Sequence, residues 1–170
     1  MGFYVYIVLL SPCLLAMQAD AVCTALSESY GGPGGLNRFD ENALAKNGDI
    51  KEIELLCGRR VTAIRLRYGS VWETLHGWKS PPGKSCARDW DVGVKVLYTL
   101  QPNEYVKGAT ITYDRFVNSL TLKTNMRQLP KCGKTTGSKT KSIDGRRRLK
   151  YITGNSGCIL DRIQFYWPSW

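Results

Sequence analysis

Apolar residues recurring at every second position constrain this chain more than any other feature. Val94, Val96, Tyr98 and Leu100 keep that spacing up to a Gln101-Pro102-Asn103-Glu104 turn. Ile53 and Leu55, then Val61, Ile64, Leu66 and Tyr68, flank a Cys57-Gly58-Arg59-Arg60 turn. Tyr105 to Tyr113 follows with β-branched Val106, Thr110, Ile111 and Thr112, and Val117, Leu120 and Leu122 run to a Thr124-Asn125 turn. Asp144-Gly145 has the composition of a hairpin turn before Leu149 to Ile152, and Ile163 to Trp167 completes the series. Side chains two apart share one face of a strand, whereas a helix needs apolar residues three and four apart, and no segment shows that period. The chain reads as all-β, with about ten to twelve short strands, the spacing of sandwiches, barrels and prisms.

In an antiparallel chain whose strands run up and down, successive turns fall at alternate ends. Counting from a glycine-rich loop, Tyr30-Gly31-Gly32-Pro33-Gly34-Gly35, this places the turns at 69–93, 113–116, 133–139 and 155–161 at one end with it. The turns at 57–60, 101–104, 124–127 and 144–147 fall at the other. Cys57 is thereby separated from Cys86 and Cys158.

Among the loops sharing the first end, Gly157-Cys158-Ile159-Leu160-Asp161 stands out. Glycine permits a tight bend, and a carboxylate four residues on can fold back over the N–H groups that the bend exposes. A carboxylate accepting two protons beside free backbone donors suits adjacent hydroxyls on an uncharged sugar ring.

With 170 residues the chain has the size of one domain. Phe3 to Leu15 is an apolar run too short for a membrane span, and small residues follow at Ala16, Ala19 and Ala21. Residues 1–21 therefore read as a secretory signal, leaving a soluble, extracellular domain over 22–170 that starts with a polar arm at 22–29. Cleavage removes Cys13 and leaves Cys23, Cys57, Cys86, Cys132 and Cys158, an odd number in an oxidising compartment. Cys23 on the arm is the candidate for a bridge between two copies, and the other connectivities stay open. Zinc is disfavoured, because there is no Cys-x-x-Cys pair and only one histidine.

The net charge of +10 attracts anionic partners. Two basic groups stand out: Lys131, Lys134, Lys139 and Lys141 in and beside a loop at the glycine-loop end, and Arg146, Arg147 and Arg148 at the opposite end. Sulfated or acidic polysaccharides fit a secreted basic chain, and a secretory signal argues against nucleic acid. His76 reads as a packing or surface residue in a His76-Gly77 turn, without a partner for catalysis. Asp114 and Asp161 are too few acids to argue for glycoside hydrolysis. Gly69-Ser70-Val71-Trp72-Glu73 is the nearest variant of the Gly-x-x-x-Asp turn and, at the same end by turn counting, a candidate second sugar site.

Several segments together resemble the jacalin-related lectins, closest to small secreted animal members. They are Gly34-Gly35 before Phe39-Asp40, Val61 to Tyr68, Asn118 to Asn125, Tyr151-Ile152-Thr153-Gly154, and Gly157-x-x-x-Asp161 before Ile163 to Trp167. The resemblance spans about Tyr30 to Trp167. It implies a β-prism of three four-stranded antiparallel sheets and a non-enzymatic protein that binds sugar at one end without metal or cofactor. It further implies backbone donors at Gly34 or Gly35, Cys158 and Ile159, the acceptor Asp161 in the turn from Gly157, and a specificity loop at Tyr113-Asp114-Arg115. The loop holds one residue more than the family pattern between Gly35 and Phe39. An uncleaved glycine loop, and Cys158, Ile159 and Leu160 in place of aromatics, favour mannose- or glucose-type glycans over galactose. Weak binding per site calls for more than one copy, hence a homo-oligomer.

Overall fold

The structure, a computed structural model, describes residues 24–26, 28–79, 85–86, 92–134, 136–145 and 147–168. The signal segment, Cys23 and Arg146 lie outside the described residues. The described strands are β1 (Thr24–Leu26), β2 (Tyr30–Gly31), β3 (Asn37–Asp40), β4 (Ile50–Cys57), β5 (Val61–Tyr68), β6 (Val71–Trp72) and β7 (His76–Gly77), followed by β8 (Val94–Thr99), β9 (Val106–Tyr113), β10 (Val117–Thr124), β11 (Lys139–Asp144), β12 (Tyr151–Ser156) and β13 (Leu160–Pro168). One turn of 3-10 helix, Leu44–Asn47, interrupts the strands.

The strands form three antiparallel sheets. One has the order β1-β13-β12-β3 with β2 also on β13, the second β6-β5-β4-β8 with β7 also on β5, and the third β10-β9-β11. The strand counts are five, five and three, yet each sheet is four ribbons wide. β1 and β2 are two pieces of one outer ribbon along β13, and β6 and β7 are two pieces of one along β5. In the third sheet the outer ribbon is residues 128–132, which meets β10 only through the bridges Lys123↔Gln128 and Leu120↔Cys132. Pro130 lies between them and has no N–H to give the ladder.

The inner faces close on one core. Leu160, Ile163 and Phe165 of β13, Val61, Ile64 and Leu66 of β5, and Val117, Leu120 and Leu122 of β10 are all buried. They are the first, fourth and sixth residues of their strands, so the sequence Leu-Asp-Arg-Ile-Gln-Phe at 160–165 repeats in pattern as Val-Thr-Ala-Ile-Arg-Leu at 61–66 and Val-Asn-Ser-Leu-Thr-Leu at 117–122. Each unit sets its apolar side chains toward the shared axis. Disulfides join Cys57 to Cys132 and Cys86 to Cys158.

Several expectations from turn counting need correction. β3 is a strand that the count omitted, and β6 with β7 is a second one, returning along β5. The two omissions cancel after residue 78, so the ends expected for later turns hold, but the turns between them are reversed. The 57–60 turn lies at the glycine-loop end: the Lys134 N–H donates to the Arg59 carbonyl at 3.0 Å, and Arg60 Nε donates to Asn118 Oδ1 at 2.9 Å. Cys57 is thus at the same end as Cys158, and its partner is Cys132. Gly69 sits at the opposite end, where the Gly69 N–H donates to the Asp49 carbonyl at 3.0 Å. Gly69-Ser70-Val71-Trp72-Glu73 therefore makes no second site beside the first, and Trp72 instead carries the Arg65 guanidinium 4.7 Å over its ring.

The arm is not unpaired, because Thr24–Leu26 pairs with Tyr166–Pro168. Asp144-Gly145 closes no hairpin: β11 belongs to the third sheet and β12 to the first, so the segment between them crosses sheets. His76 lies in a short strand rather than a turn.

The end away from the glycine loop is fastened by a buried carboxylate. Glu104 accepts from Arg127 Nε at 2.8 Å, from the Gln101 N–H at 2.9 Å and from Thr124 Oγ1 at 2.8 Å. Burial works to raise its pKa, but the Arg127, Gln101 and Thr124 donors outweigh it and hold the carboxyl below the usual range. A group with a lowered folded pKa stabilises above its unfolded pKa and loses that contribution as pH falls through the folded value. Glu104→Gln should lower the unfolding free energy by about 2 kcal/mol at pH 7, with a difference that shrinks on acidification. Urea titrations of both proteins at about pH 7 and about pH 3 measure this.

Candidate functional site

Asp161 is the second residue of β13, just past the Gly157 turn, and its side chain is directed under the glycine loop. A methyl group at Gly34 would lie 2.4 Å from Asp161 Oδ1, and one at Gly35 would lie 2.6 Å from Oδ2 and 2.6 Å from the Ser156 main chain. Gly35 also holds φ +73°, a region that side chains disfavour. A Cβ at Gly157 would lie 3.5 Å from Oδ2. The chain's first and last loops thus meet with main chain, rather than side chains, against the carboxylate.

Hydrogen bonds hold both walls. The Gly157 N–H donates to the Ile159 carbonyl at 3.0 Å, closing the turn, and the Gly157 carbonyl accepts from the Lys79 N–H at 3.0 Å. Asn37 Nδ2 donates to the Ser156 carbonyl at 3.2 Å, and Arg162 Nε to the Gly32 carbonyl at 3.1 Å. The Gly32 N–H returns a bond to the Asp161 carbonyl at 3.1 Å. Cys158 is bridged to Cys86 and the Ile159 side chain is buried, so what this turn offers outward is mostly main chain.

Asp161 is 5% exposed, and among the described residues no cation pairs with it. Burial pushes its pKa up to about 6, against the opposing effect of a hydrogen bond from the Gly157 N–H. Such a carboxylate keeps unused acceptor capacity in a dry place, which favours a ligand that brings hydroxyl donors.

The 113–116 loop adjoins the same wall. A Cβ at Gly32 would sit 2.6 Å from the Arg115 carbonyl. Tyr113 is partly buried, edge-on to Tyr30 at 5.5 Å. The Asp114 carboxylate accepts from the Phe116 N–H of its own loop at 3.2 Å. Burial would raise its pKa, but the Asn118 side chain, the Phe116 and Arg115 N–H groups and the nearby Arg60 charge together lower it. Asp114 therefore shapes the loop, and Arg115 is its exposed cation.

The basic residues separate by end. Lys131, Lys134, Lys139 and Lys141 are exposed. Lys139 Nζ lies 6.0 Å from the Tyr113 ring centre, and Lys141 Nζ pairs with Glu28 at 3.2 Å. Arg147 is exposed, and Arg148 is engaged with Asp49 and lies 4.8 Å over the Tyr105 ring, at the end remote from Asp161. Turn counting missed Arg59 and Arg60, which join the first group. Arg60 lies 5.1 Å over the Phe116 ring and Arg115 6.0 Å from it.

The cradle has two counterparts. Gly31, Gly77 and Gly133 each end an outer ribbon with positive φ, and a Cβ on them would lie 2.0 Å from the Asp161 carbonyl oxygen, 2.1 Å from that of Thr62 and 2.2 Å from that of Asn118. Asp161, Thr62 and Asn118 are thus equivalent, all buried, and one of the three is a carboxylate. The repeat itself was readable as the six-residue pattern of 160–165, 61–66 and 117–122.

A family profile described as the Jacalin-like lectin domain matches residues 27–166. Zymogen granule membrane protein 16 of Rattus norvegicus is 25% identical over 167 residues, covering 96% of this chain and 92% of the relative, and that of Homo sapiens is 25% identical over 155 residues, covering 89% and 84%. Among solved structures, wild-type Malaysian banana lectin is similar in fold, with a TM-score of 0.65 at 20% identity over 86% of this chain and all of that one. A mannose-specific jacalin-related lectin from Morus nigra in complex with mannose has a TM-score of 0.64 at 23% identity, over 89% of this chain and 98% of that one. With its profile match covering most of the sequence and its three sheets built as in those structures, the chain belongs to the jacalin-like lectin family.

Proposed function

We propose that this protein is a secreted, non-enzymatic lectin that takes a mannose- or glucose-type ring in the cradle of Gly34, Gly35 and Gly157 to Asp161. The observation that carries this reading is Asp161, a buried carboxylate with no paired cation among the described residues, met by glycines that put no side chain against its oxygens. Its two oxygens accept from adjacent ring hydroxyls, the N–H groups of Gly34 or Gly35 donate to another, and those of Cys158 and Ile159 serve the ring oxygen and the exocyclic hydroxyl. Tyr113, Asp114 and Arg115 bound the site on one side and select among glycans. Binding is independent of metal: one carboxylate is too little for Ca²⁺, which takes six to eight oxygens. The Cys86–Cys158 bridge holds the turn in shape before sugar arrives, which lowers the ordering cost. Two disulfides and the signal-like N-terminus support secretion, and Cys23 is the proposed link between copies. The mannose-specific lectin from Morus nigra lends support to the choice of sugar.

A second reading, binding of sulfated or acidic polysaccharide by charge, is favoured by the grouping of Arg59, Arg60, Arg115, Lys134 and Lys139 around the 113–116 loop. The two readings separate on elution from a mannose-type glycan column. Free methyl α-mannoside should release the lectin, and about 0.5 M NaCl alone should not, because screening at that salt weakens exposed charge pairs and leaves buried hydrogen bonds. Release by salt alone would favour the charge reading.

Asp161→Asn removes one acceptor at constant shape, and Gly34→Ala plants a methyl on the carboxylate at a backbone position outside the positive-φ region. Each should abolish detectable mannoside binding by calorimetry while leaving the thermal midpoint within a few degrees of wild type. Full binding by Asp161→Asn would reject the cradle.

Acidification should move binding and stability in opposite directions through Asp161. Sugar binding needs the ionised form, so affinity should fall about tenfold between pH 8 and pH 5, around a midpoint of about 6. Because the folded pKa is raised above the unfolded one, the same group favours the folded state at low pH, and that contribution is lost as pH rises through about 6. Calorimetric titrations, and urea midpoints of wild type against Asp161→Asn, measure the two.

A further inference from the structure

A second concavity, of about 610 Å³, opens beside the cradle between the first and second sheets. One side is the run from Leu36 to Asp40, directly after the glycine donors, and the other is the segment from Glu73 to Gly77 with Lys79. Ser156, which precedes Gly157, also lines it, so cradle and cleft share their boundary. The far wall is fastened to the binding turn by the Lys79 N–H bond to the Gly157 carbonyl. Just before Lys79, Trp78 is held at φ +51°, a conformation that costs a bulky residue on the order of 1 kcal/mol.

The lining is balanced in charge although the chain is strongly basic. Arg38 and Lys79 face Asp40 and Glu73, which suits a neutral ligand better than a polyanion. Leu36 is 85% exposed at the mouth, an apolar surface of the kind that covers the C–H face of a sugar ring.

His76 supplies a buried polar group. Its ring stacks on Phe39 at 3.9 Å, and its Nε2 is 3.1 Å from Glu41 Oε1, while the other Glu41 oxygen accepts from the Tyr68 hydroxyl. Glu41 and Tyr68 are fully buried, and burial pushes the Glu41 carboxyl up, partly countered by its bonds to His76 and Tyr68. Nε2 is thus engaged by Glu41, and Nδ1 accepts or donates according to the tautomer. A hydroxyl can satisfy either state.

We infer that the cleft between Leu36–Asp40 and Glu73–Lys79 is a binding subsite for the next neutral hexose of an oligosaccharide whose first ring occupies the cradle, with Leu36 and His76 as its apolar and polar contacts. This rests on the cradle reading above. A cavity of this size has room for a further sugar ring or two.

The test is calorimetry on the intact mature chain with two probes, methyl α-mannoside and a branched trimannoside, accompanied by amide chemical-shift mapping. The trimannoside should bind wild type about tenfold more tightly than the monosaccharide, the worth of one or two added hydrogen bonds and an apolar contact. It alone should shift the amides of Thr74, Leu75 and Lys79. Thr74→Trp, which fills the cleft from an exposed position, should bring the trimannoside down to monosaccharide affinity and leave monosaccharide binding unchanged. Leu36→Ala, at a fully solvated side chain, should remove part of the gain. Equal affinity of the two sugars for wild type, or a gain that survives Thr74→Trp, overturns the subsite and leaves the cradle standing. No binding of either sugar by wild type overturns the cradle reading and the subsite with it.

Discussion

Closure of three sheets around one axis depends on backbone coming within contact distance of backbone at one end of the molecule. At Gly31, Gly77 and Gly133 the outer ribbon of each sheet crosses the second residue of an inner strand so closely that any Cβ would lie about 2 Å from a carbonyl oxygen. Glycine is required there on two counts, the missing side chain and the positive φ. Once the ribbons close this way, the first, fourth and sixth residues of β13, β5 and β10 are committed to the core. The residue in second place is buried at the end of the prism, under a loop.

What occupies that second place decides what each end loop can do. Thr62 is a small hydroxyl, and the Asn118 oxygen is already held by Arg60 at 2.9 Å. Asp161 differs from both, because burying a carboxylate without a cation is unfavourable, and its raised pKa is the mark of that cost. Among the described residues, Glu54 is compensated by Arg65 and Lys95 and Glu104 by Arg127, while Glu41, also raised by burial, has both its oxygens engaged by Tyr68 and His76. A carboxylate left without a paired cation in so basic a chain gives up internal stability and keeps acceptor capacity, which the proposed cradle would use.

Much of this was legible in the sequence. Alternating Val, Ile and Leu marked β4, β5, β9, β10 and β13, which carry buried side chains, and β8, whose Val96 and Tyr98 are half-buried. The meeting of the glycine loop with Asp161 was expected from the turn count, whose two omitted strands cancel by residue 78. What escaped had physical causes. β3 carries Phe39 as its single buried residue, too little for a period to show, and β6 and β7 are two residues each, interrupted by 73–75. Asp144-Gly145 has hairpin chemistry, but Gly145 is there because a Cβ would lie 2.2 Å from the Trp167 ring. His76 reads as a lone histidine because its partners Glu41 and Phe39 are 35 and 37 positions away in sequence and meet it only in the fold. The threefold pattern was open to inspection, yet nothing in a single strand announces that its second residue matters.

The surroundings of Asp161 differ on its two sides, which is how a strongly basic chain could also carry the proposed pocket for neutral sugar. On the side of the 113–116 loop, cations stand close together around Phe116 and Tyr113, with Asp114 absorbed into its own turn. On the side of β3 and β7, cations and anions are matched and the His76 ring is held by a buried acid. Because exposed charges act over about 8 Å at physiological salt, the basic rim can gather an anionic glycoprotein or matrix toward this end without entering the hydrogen bonds that distinguish one hexose from another. Asp161 itself is negative and would repel a sulfate placed against it. On the proposed function, long-range attraction to acidic partners and short-range selection of hydroxyls would fall to different neighbours of the same turn.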